Sequence, residues 1–265
     1  MLAYDIGVGL VDLEMVQFHP TVYSDTRTAV ISEATLGEGA KLINSAGDTL
    51  TNSAGLSRAQ LAAEVYKVGR NGGGPVSLDL RSIENLVSRF PGAAEVVKMM
   101  AGIDITKNPV PVQPVAHRPM GGIETNAAGE TSVAGLFAVG ECAHNGLNGA
   151  SRLPGNTLTE AVVFGKRIGE AAATYAKSES PQVAVGSQVA QDDKRLAEIT
   201  SGGPSSDTIG AIHRELGELM TANVGVVRAD AGLAEAQDKI HSLQQRHAAL
   251  RVSNTSRIYN YALMG

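Results

Sequence analysis

The sequence predicts a mixed α and β (α+β) fold for this chain of 265 residues. Short runs with alternating or continuous apolar residues, typical of strands, are interleaved with longer segments whose apolar residues recur every three or four positions, typical of amphipathic helices. A hydrophobic content of 43% is enough to build buried cores. The length suits one large domain or two or three smaller ones.

The first hundred residues alternate between strands and helices. The strand over residues 11–21 is expected to stop at His19-Pro20, because proline cannot donate to a ladder. Ser57 is a suitable cap for the helix that follows it. In order, the patterns predict a short helix over 1–10, the strand over 11–21, a strand or helix start over 28–34, a hairpin over 36–50 with its turn at 45–48, a helix over 56–73, a strand over 75–80, and two helical stretches over 82–103 broken near Pro91.

The second half of the chain carries longer helical patterns. Residues 135–141, "GLFAVGE", are typical of a buried strand that ends in a carboxylate, and 146–173 form a glycine-rich loop that runs into a helix. Residues 181–205 are rich in Ser, Gly, Pro and Gln, which predicts a linker. Residues 207–227 and 229–252 predict packed amphipathic helices.

Composition and charge exclude several classes of protein. A net charge of -5 and no Lys/Arg cluster argue against nucleic-acid binding. No apolar run reaches the roughly 20 residues that span a bilayer, and the first residues lack the pattern of a signal peptide. Cys142 stands alone, so no internal disulfide, iron–sulfur or Cys-rich zinc site is expected, and cytoplasmic surroundings fit best.

The remaining single residues have ordinary structural interpretations. Cys142 is expected to be a small core residue. No metal site is predicted, because four histidines lack the spacing of metal ligands and are interpreted as structural or surface residues, namely His144, His213, His241 and His247.

One histidine stands in a richer context. His117 lies in "QPVAHRPMGGIET", upstream of both "GLFAVGE" and the glycine-rich loop that precedes a helix. A loop histidine alone is usually structural, and a glycine-rich loop before a helix is weak evidence of a cofactor site. Together the three segments predict a functional site.

The motifs, taken in order along the chain, resemble one family. They are "VQFHPT", "SEATLGEGAKLINSAGD", "LDL", "GIDITKNPVPVQPVAHRPMGGIET", "ETSVAGLFAVGECAHNGLNGASRLPGNTLTEAVVFGKRIGEAA" and "HRELGELMTANVGVVR". This series resembles the flavoprotein subunit of fumarate reductase and succinate dehydrogenase, a superfamily that also contains L-aspartate oxidase. The resemblance implies FAD as cofactor and five segments, which are the end of a first FAD-binding segment (1–21), a capping domain (22–112), a second FAD-binding segment (113–180), a linker (181–205) and a C-terminal helical region (206–265).

The resemblance also implies which residues meet the substrate. His19, His117 and Arg152 fall on family positions that clamp the carboxylates of a dicarboxylate, and Ser32 matches a residue beside the substrate. A guanidinium and an imidazole are suited to bind carboxylates and to stabilise the negative charge of the transition state. The proton donor is implied to be Arg58, with Glu33 restoring its proton.

Cofactor contacts are implied for the segments around the glycine-rich loop. Glu141 falls on a position that binds an FAD hydroxyl or ribityl group, and Gly121 and Gly122 are expected to let backbone approach the flavin. The N–H groups at the start of the following helix, at Asn156, Thr157 and Leu158, are expected to stabilise charge on the reduced ring. The Rossmann-type G-x-G-x-x-G turn of the family does not occur in these residues, so the chain is expected to be a fragment.

Three positions depart from the family pattern. Leu36 stands where the family has an arginine of the proton relay, Ala59 stands where an aspartate usually follows the catalytic arginine, and Arg118 replaces a tyrosine. Arg118 adds a positive charge beside the site, which could alter substrate preference.

The expected function is FAD-dependent interconversion of fumarate and succinate, with an iron–sulfur subunit or another electron-transfer protein as partner. Two alternatives stay open at this stage. The protein could be an L-aspartate oxidase or another dicarboxylate oxidoreductase, or the chain could be a non-catalytic fragment or split subunit.

Overall fold

A computed structural model describes residues 2–25, 27–50, 55–70, 74–179, 186–200 and 207–252. The chain divides into two compact units, residues 1–180 and 181–265. The strands are β1 (Leu10–Val11), β2 (Val16–Ser24), β3 (Thr28–Val30), β4 (Lys41–Ile43), β5 (Val76–Asp79), β6 (Val110–Pro119), β7 (Gly122–Glu124) and β8 (Ala143–His144). The helices are α1 (Leu2–Asp5), α2 (Ala34–Gly37), α3 (Arg58–Arg70), α4 (Leu86–Arg89), α5 (Pro91–Ala101), α6 (Asn156–Ser178), α7 (Gly186–Thr200), α8 (Ile209–Asn223) and α9 (Asp230–Ala248). The mixed fold class is confirmed.

A five-stranded antiparallel sheet is the framework of the first unit. Its strand order is β3-β2-β6-β5-β4. Apolar residues alternate along β5, where Val76 and Leu78 are buried, and they meet Leu61 and Val65 of α3 and Val97 of α5. The sheet and the two helices therefore share one hydrophobic core.

The strand β2 does not stop at His19-Pro20, and this expectation was wrong. It continues to Ser24 and pairs with β3 beyond the proline. The pairing of β2 with β6 is irregular between His19 and Val22, so Pro20, which has no N–H, lies where the ladder is already interrupted. The strand thus places His19 on β2, an interior strand between β3 and β6.

A second, three-stranded sheet with the order β1-β7-β8 lies in the same unit. Asp12 adopts a left-handed φ of 54° directly after β1, and a Cβ on Gly121 would overlap its backbone. A Cβ on Gly122 would lie 2.6 Å from the carbonyl oxygen of Cys142. Both positions therefore need glycine, because neighbouring protein backbone leaves no room for a Cβ. The expected approach of this backbone to the flavin stays a prediction.

The segment 135–141 is not a regular strand, contrary to expectation. Gly135 and Gly140 have φ values of 81° and 76°, which breaks the extended backbone at both ends, and Phe137 makes only an isolated bridge to Glu130. A 3-10 turn then spans Gly140–Cys142. This turn leaves Cys142 exposed, so its assignment to the core was also wrong.

The second unit is helical. Residues 186–200 of the predicted linker form α7, which has apolar residues at helical spacing despite its polar composition. The remaining residues of the predicted linker lie outside the described ranges. The predicted helices α8 and α9 are confirmed, and they pack through a small core of Ile212, Leu219, Ala236 and Leu243. No helix in the described ranges is both long and apolar enough to cross a membrane.

Gly121→Ala should lower the free energy of unfolding by about 1–3 kcal/mol, because the added methyl forces β1 and β7 apart. Gly165→Ala is the matched control: Gly165 lies inside α6 with open space around its Cβ, so alanine should stabilise by about 0.5–1 kcal/mol. Urea denaturation followed by circular dichroism measures both. Equal stability of Gly121→Ala and the unsubstituted chain would contradict the packing described for the small sheet.

Candidate active site

A polar pocket of about 450 Å³ opens in the first unit. Paired strands bring its two histidines together, since His19 lies on β2 and His117 on the adjacent β6. Their rings meet edge to face, with centroids 5.2 Å apart. The pocket is lined by Gln17, His19, Ser32, Glu33, Ala34, Arg58, His117, Arg118, Arg152, Leu153, Pro154, Gly155 and Thr157.

Arg58 is anchored at the first residue of α3 by two neighbours. Its Nε donates to Oε2 of Glu33 at 2.6 Å, and its Nη2 also pairs with that carboxylate. Its Nη1 donates to Oε1 of Gln17 at 2.9 Å, while Nε2 of Gln17 donates to Ser151 Oγ and to the carbonyl of Arg152, each at 2.8 Å. Gln17 therefore connects Arg58 with the loop that precedes α6.

Arg152 is a buried cation with unused donors. Its side chain is 5% exposed, and its Nη1 lies 3.2 Å from Oε2 of the buried Glu160. Asn148 donates to the same oxygen at 2.8 Å. Neither Nε nor Nη1 of Arg152 has a hydrogen-bond acceptor in the described part of the chain. Buried donors without acceptors are rare in proteins, and they make Arg152 a candidate for binding an anionic or carbonyl oxygen.

Arg118 is the third arginine of the pocket. It pairs with Glu141, whose side chain is 47% exposed, and its Nε donates to Nε2 of His117 at 3.1 Å. Oε1 of Glu141 also lies 3.6 Å from Nη1 of Arg152. The positive charges of three arginines are thus balanced by the negative charges of three glutamates around the pocket.

Both histidines are held neutral near pH 7. Burial, followed by the charges of Arg58, His117 and Arg118, lowers the pKa of His19 to about 4. Burial and then Arg118 and Arg58 lower the pKa of His117, which Glu33 partly opposes. The expected charge-assisted donation from these imidazoles therefore requires a ligand whose negative charge raises their pKa.

The structure brings the predicted substrate and catalytic residues into one pocket. These are His19, Ser32, Glu33, Arg58, His117 and Arg152. Their roles stay predictions. Leu36, at the position where the family has an arginine, packs against the hydrophobic core and does not line the pocket.

The predicted cofactor residues are more dispersed. Thr157 lines the pocket, while Asn156 donates through its side chain to Asn148 and does not cap α6. No side chain in the described ranges caps the first turn of this helix, and Leu158 beside it is 76% exposed. The backbone N–H of Asn156 donates to the carbonyl of Leu153 at 3.1 Å and is therefore not open, contrary to expectation. A helix start without a side-chain cap, next to an apolar surface, fits a flat aromatic ring that gains negative charge on reduction, as FAD does.

Sequence reasoning missed two residues that support the site. Gln17 lies in the quoted "VQFHPT", but a neutral polar residue on an alternating strand gives no signal of its own. Glu160 lies on an amphipathic helix, where a carboxylate usually faces solvent. No group of three or more metal-binding side chains occurs in the described residues.

The sequence of this chain matches known families and proteins. A family model described as "FAD binding domain" matches residues 1–158, and one described as "Fumarate reductase flavoprotein C-term" matches residues 213–265. The fumarate reductase flavoprotein subunit of Escherichia coli K12 is 33% identical over 99% of this chain and 48% of its own length. L-Aspartate oxidase of Mycobacterium leprae is 36% identical over 94% of this chain and 47% of its own length.

The fold agrees with these matches. A structure of quinol-fumarate reductase with menaquinol molecules superposes with a TM-score of 0.89 and 33% identity, covering 99% of this chain and 50% of the other. The chain spans about half the length of the curated relatives it matches. It belongs to the FAD-binding flavoprotein family that includes fumarate reductase flavoprotein subunits and L-aspartate oxidases.

Proposed function

We propose that the protein is an FAD-dependent oxidoreductase that interconverts fumarate and succinate. The observation that carries this proposal is Arg152, a buried guanidinium in a pocket that also holds the Arg58–Glu33 pair. Its Nε and Nη1 make no hydrogen bond within the described ranges, although Nη1 is ion-paired with Glu160. In this proposal a dicarboxylate supplies acceptors to Arg152 with one carboxylate, and His19 and His117, whose rings lie 5.2 Å apart, bind the other carboxylate.

FAD, when bound and reduced, would supply a hydride to one carbon of the C=C bond and be oxidised in doing so. The chain's own residues deliver the proton. In this proposal Arg58 donates a proton to the neighbouring carbon, and Glu33 returns a proton to Arg58; the hydrogen bond from Nε of Arg58 to Glu33 supports this pairing. Because Leu36 is apolar, the relay beyond Glu33 uses another group or water. Glu141, Asn156, Thr157 and Leu158 are proposed to hold the cofactor.

Electrons must reach the cofactor from another protein or a small carrier. The quinol-fumarate reductase neighbour is consistent with a partner of the iron–sulfur subunit type. This partner and the cytoplasmic location stay proposals.

Arg58→Gln in the FAD-loaded protein should slow the reoxidation of reduced flavin by fumarate by about 100-fold or more, the usual contribution of a general acid. Succinate binding should change far less, because the lost interaction belongs mainly to the transition state. Rapid mixing of the reduced protein with fumarate measures the rate of flavin reoxidation. Rapid mixing of the oxidised protein with succinate or with aspartate measures which of the two reduces the flavin. Near-native reoxidation would remove Arg58 from the proton path, and flavin reduction by aspartate alone would identify an aspartate oxidase.

Simultaneous Arg152→Met and Glu160→Gln should weaken succinate binding by about 100-fold, the scale of two charge-assisted hydrogen bonds. Replacing both partners avoids leaving a buried charge unpaired, so the fold should survive. Isothermal titration calorimetry measures the affinity. Arg81→Met, which removes an exposed arginine paired with Asp79, is the control and should leave binding intact. Unchanged affinity in the double variant would contradict the assigned ligand site.

Succinate binding should take up protons between pH 6 and 8. His19 is neutral in the free pocket, because its pKa is about 4, and a bound dianion raises that pKa. The affinity should therefore fall as pH rises. Calorimetry in buffers of different ionisation enthalpy measures the uptake, which His19→Gln should reduce and His213→Gln, a change on the exposed face of α8, should not. Release of protons on binding would contradict this electrostatic description.

A further inference from the structure

The two nitrogens of the His19 ring have different surroundings. Nε2 lies 4.0 Å from Oε2 of Glu33, which lines the pocket. Nδ1 accepts from the backbone N–H of Thr21, with 3.4 Å between the nitrogens, and lies 3.5 Å from Oγ1 of the same threonine. Thr21 is fully buried and is not among the described residues that line the pocket. It therefore acts on His19 from the protein side of the ring.

The backbone around Thr21 holds it in this position. Pro20 has a fixed φ, and the pairing of β2 with β6 is irregular between His19 and Val22. On the other side of β2, the carbonyl of Thr21 accepts from the N–H of Ile31 at 3.0 Å, and its hydroxyl donates to the carbonyl of Ile31 at 2.7 Å. Both the backbone and the hydroxyl of Thr21 are thus fixed to the segment that follows β3.

These contacts determine where His19 carries its proton. A backbone N–H can only donate, so the Nδ1 that accepts from Thr21 is unprotonated and Nε2 carries the proton of the neutral ring. The single hydroxyl proton of Thr21 goes to the carbonyl of Ile31. The hydroxyl oxygen therefore presents a lone pair to Nδ1, which can accept a second ring proton.

We propose that Thr21 is a positioning residue for His19. Its N–H keeps the proton of the neutral ring on Nε2, and its hydroxyl oxygen accepts from Nδ1 when the ring gains a second proton. This inference rests on the proposed function, in which a dicarboxylate binds to His19. The hydrogen bonds that carry it join only His19, Thr21 and Ile31, none of which is proposed to hold the cofactor.

The charges around His19 make the hydroxyl acceptor necessary. Burial lowers the pKa of His19 most, and positive charges lower it further, to about 4. The charged and titratable groups that face the ring are Glu33, Arg58, His117 and Arg118. A bound dianion opposes the positive charges and raises the pKa, and the proton that is then taken up goes to Nδ1. Without an acceptor at Nδ1 the ring would stay neutral.

The test compares succinate binding to the unsubstituted protein, Thr21→Val and Thr21→Ser, all loaded with FAD. Valine keeps the backbone N–H and nearly the shape of threonine but has no oxygen, whereas serine keeps the hydroxyl. Isothermal titration calorimetry at about pH 6 and about pH 9 brackets the protonation of His19 in the complex. Thr21→Val should bind succinate about tenfold more weakly at the lower pH, the scale of one charge-assisted hydrogen bond.

At the higher pH, where His19 is neutral in both proteins, the affinities should converge. Thr21→Ser should follow the unsubstituted protein at both values. Thr221→Val is the matched control, because it removes a hydroxyl that donates to the carbonyl of Gly217 on α8, and it should change neither affinity. If the valine variant does not fold, Thr21→Ala gives the same comparison. An equal effect of the Thr21 substitution at both pH values, whether a loss or none, overturns the proposal and leaves Thr21 a structural role.

The position of the ring proton is measured without substrate. In the FAD-loaded protein without succinate, ¹⁵N nuclear magnetic resonance of the His19 ring, assigned by its loss in His19→Gln, should show an unprotonated Nδ1 and a protonated Nε2. A proton on Nδ1 would overturn the role of Thr21 and leave the proposed function intact. Failure of the unsubstituted protein to bind succinate would overturn the proposed function, and the ring measurement would still decide which nitrogen Thr21 keeps unprotonated.

Discussion

The buried ion pair between Arg152 and Glu160 is the interaction on which the rest of the site depends. Glu160 lies in the second turn of α6, and Arg152 lies in the loop before that helix, so the pair folds the loop back onto the helix. The side chain of Gln17 binds the carbonyl of Arg152 and the guanidinium of Arg58, which connects β2 with both sides of the pocket. An isolated buried charge is strongly unfavourable, so the helix, the loop and the strand are held together by the need to balance it.

The same requirement explains why the pocket is ready for an anion. Each arginine has a glutamate partner, and both histidines are kept neutral by burial and by neighbouring positive charges. Arg152 nevertheless makes no hydrogen bond through Nε or Nη1 among the described residues, although Nη1 is ion-paired with Glu160. The charges of the pocket thus balance one another, which lets it fold without a ligand. Its donors point in fixed directions, which would give a bound carboxylate a defined position. Fixed donors of this kind stabilise developing charge without reorganisation during the reaction.

Much of this arrangement was predictable from sequence because its elements carry strong patterns. The strand with His19 and the helix that starts at Arg58 follow apolar periodicity, and seven predicted site residues, the six substrate and catalytic residues and Thr157, line one pocket. The strand β6 was not predicted, because His117 was interpreted as a loop residue. The failures have physical reasons. Pro20 is tolerated because the ladder is irregular at that point, which depends on a strand about a hundred residues away. The burial of Glu160 depends on Arg152, and no local pattern reports such a tertiary ion pair.

The most direct test of the account observes Arg152 itself. The side-chain Nε–H of Arg152 can be followed by ¹⁵N nuclear magnetic resonance in the FAD-loaded protein, with its signal assigned by its disappearance in Arg152→Lys. Addition of succinate should move this signal downfield in a saturable way and slow its exchange with water, because a free buried donor gains an acceptor. The signal of Arg81, already paired with Asp79, should not change. An Arg152 signal that stays in place at saturating succinate would contradict the account.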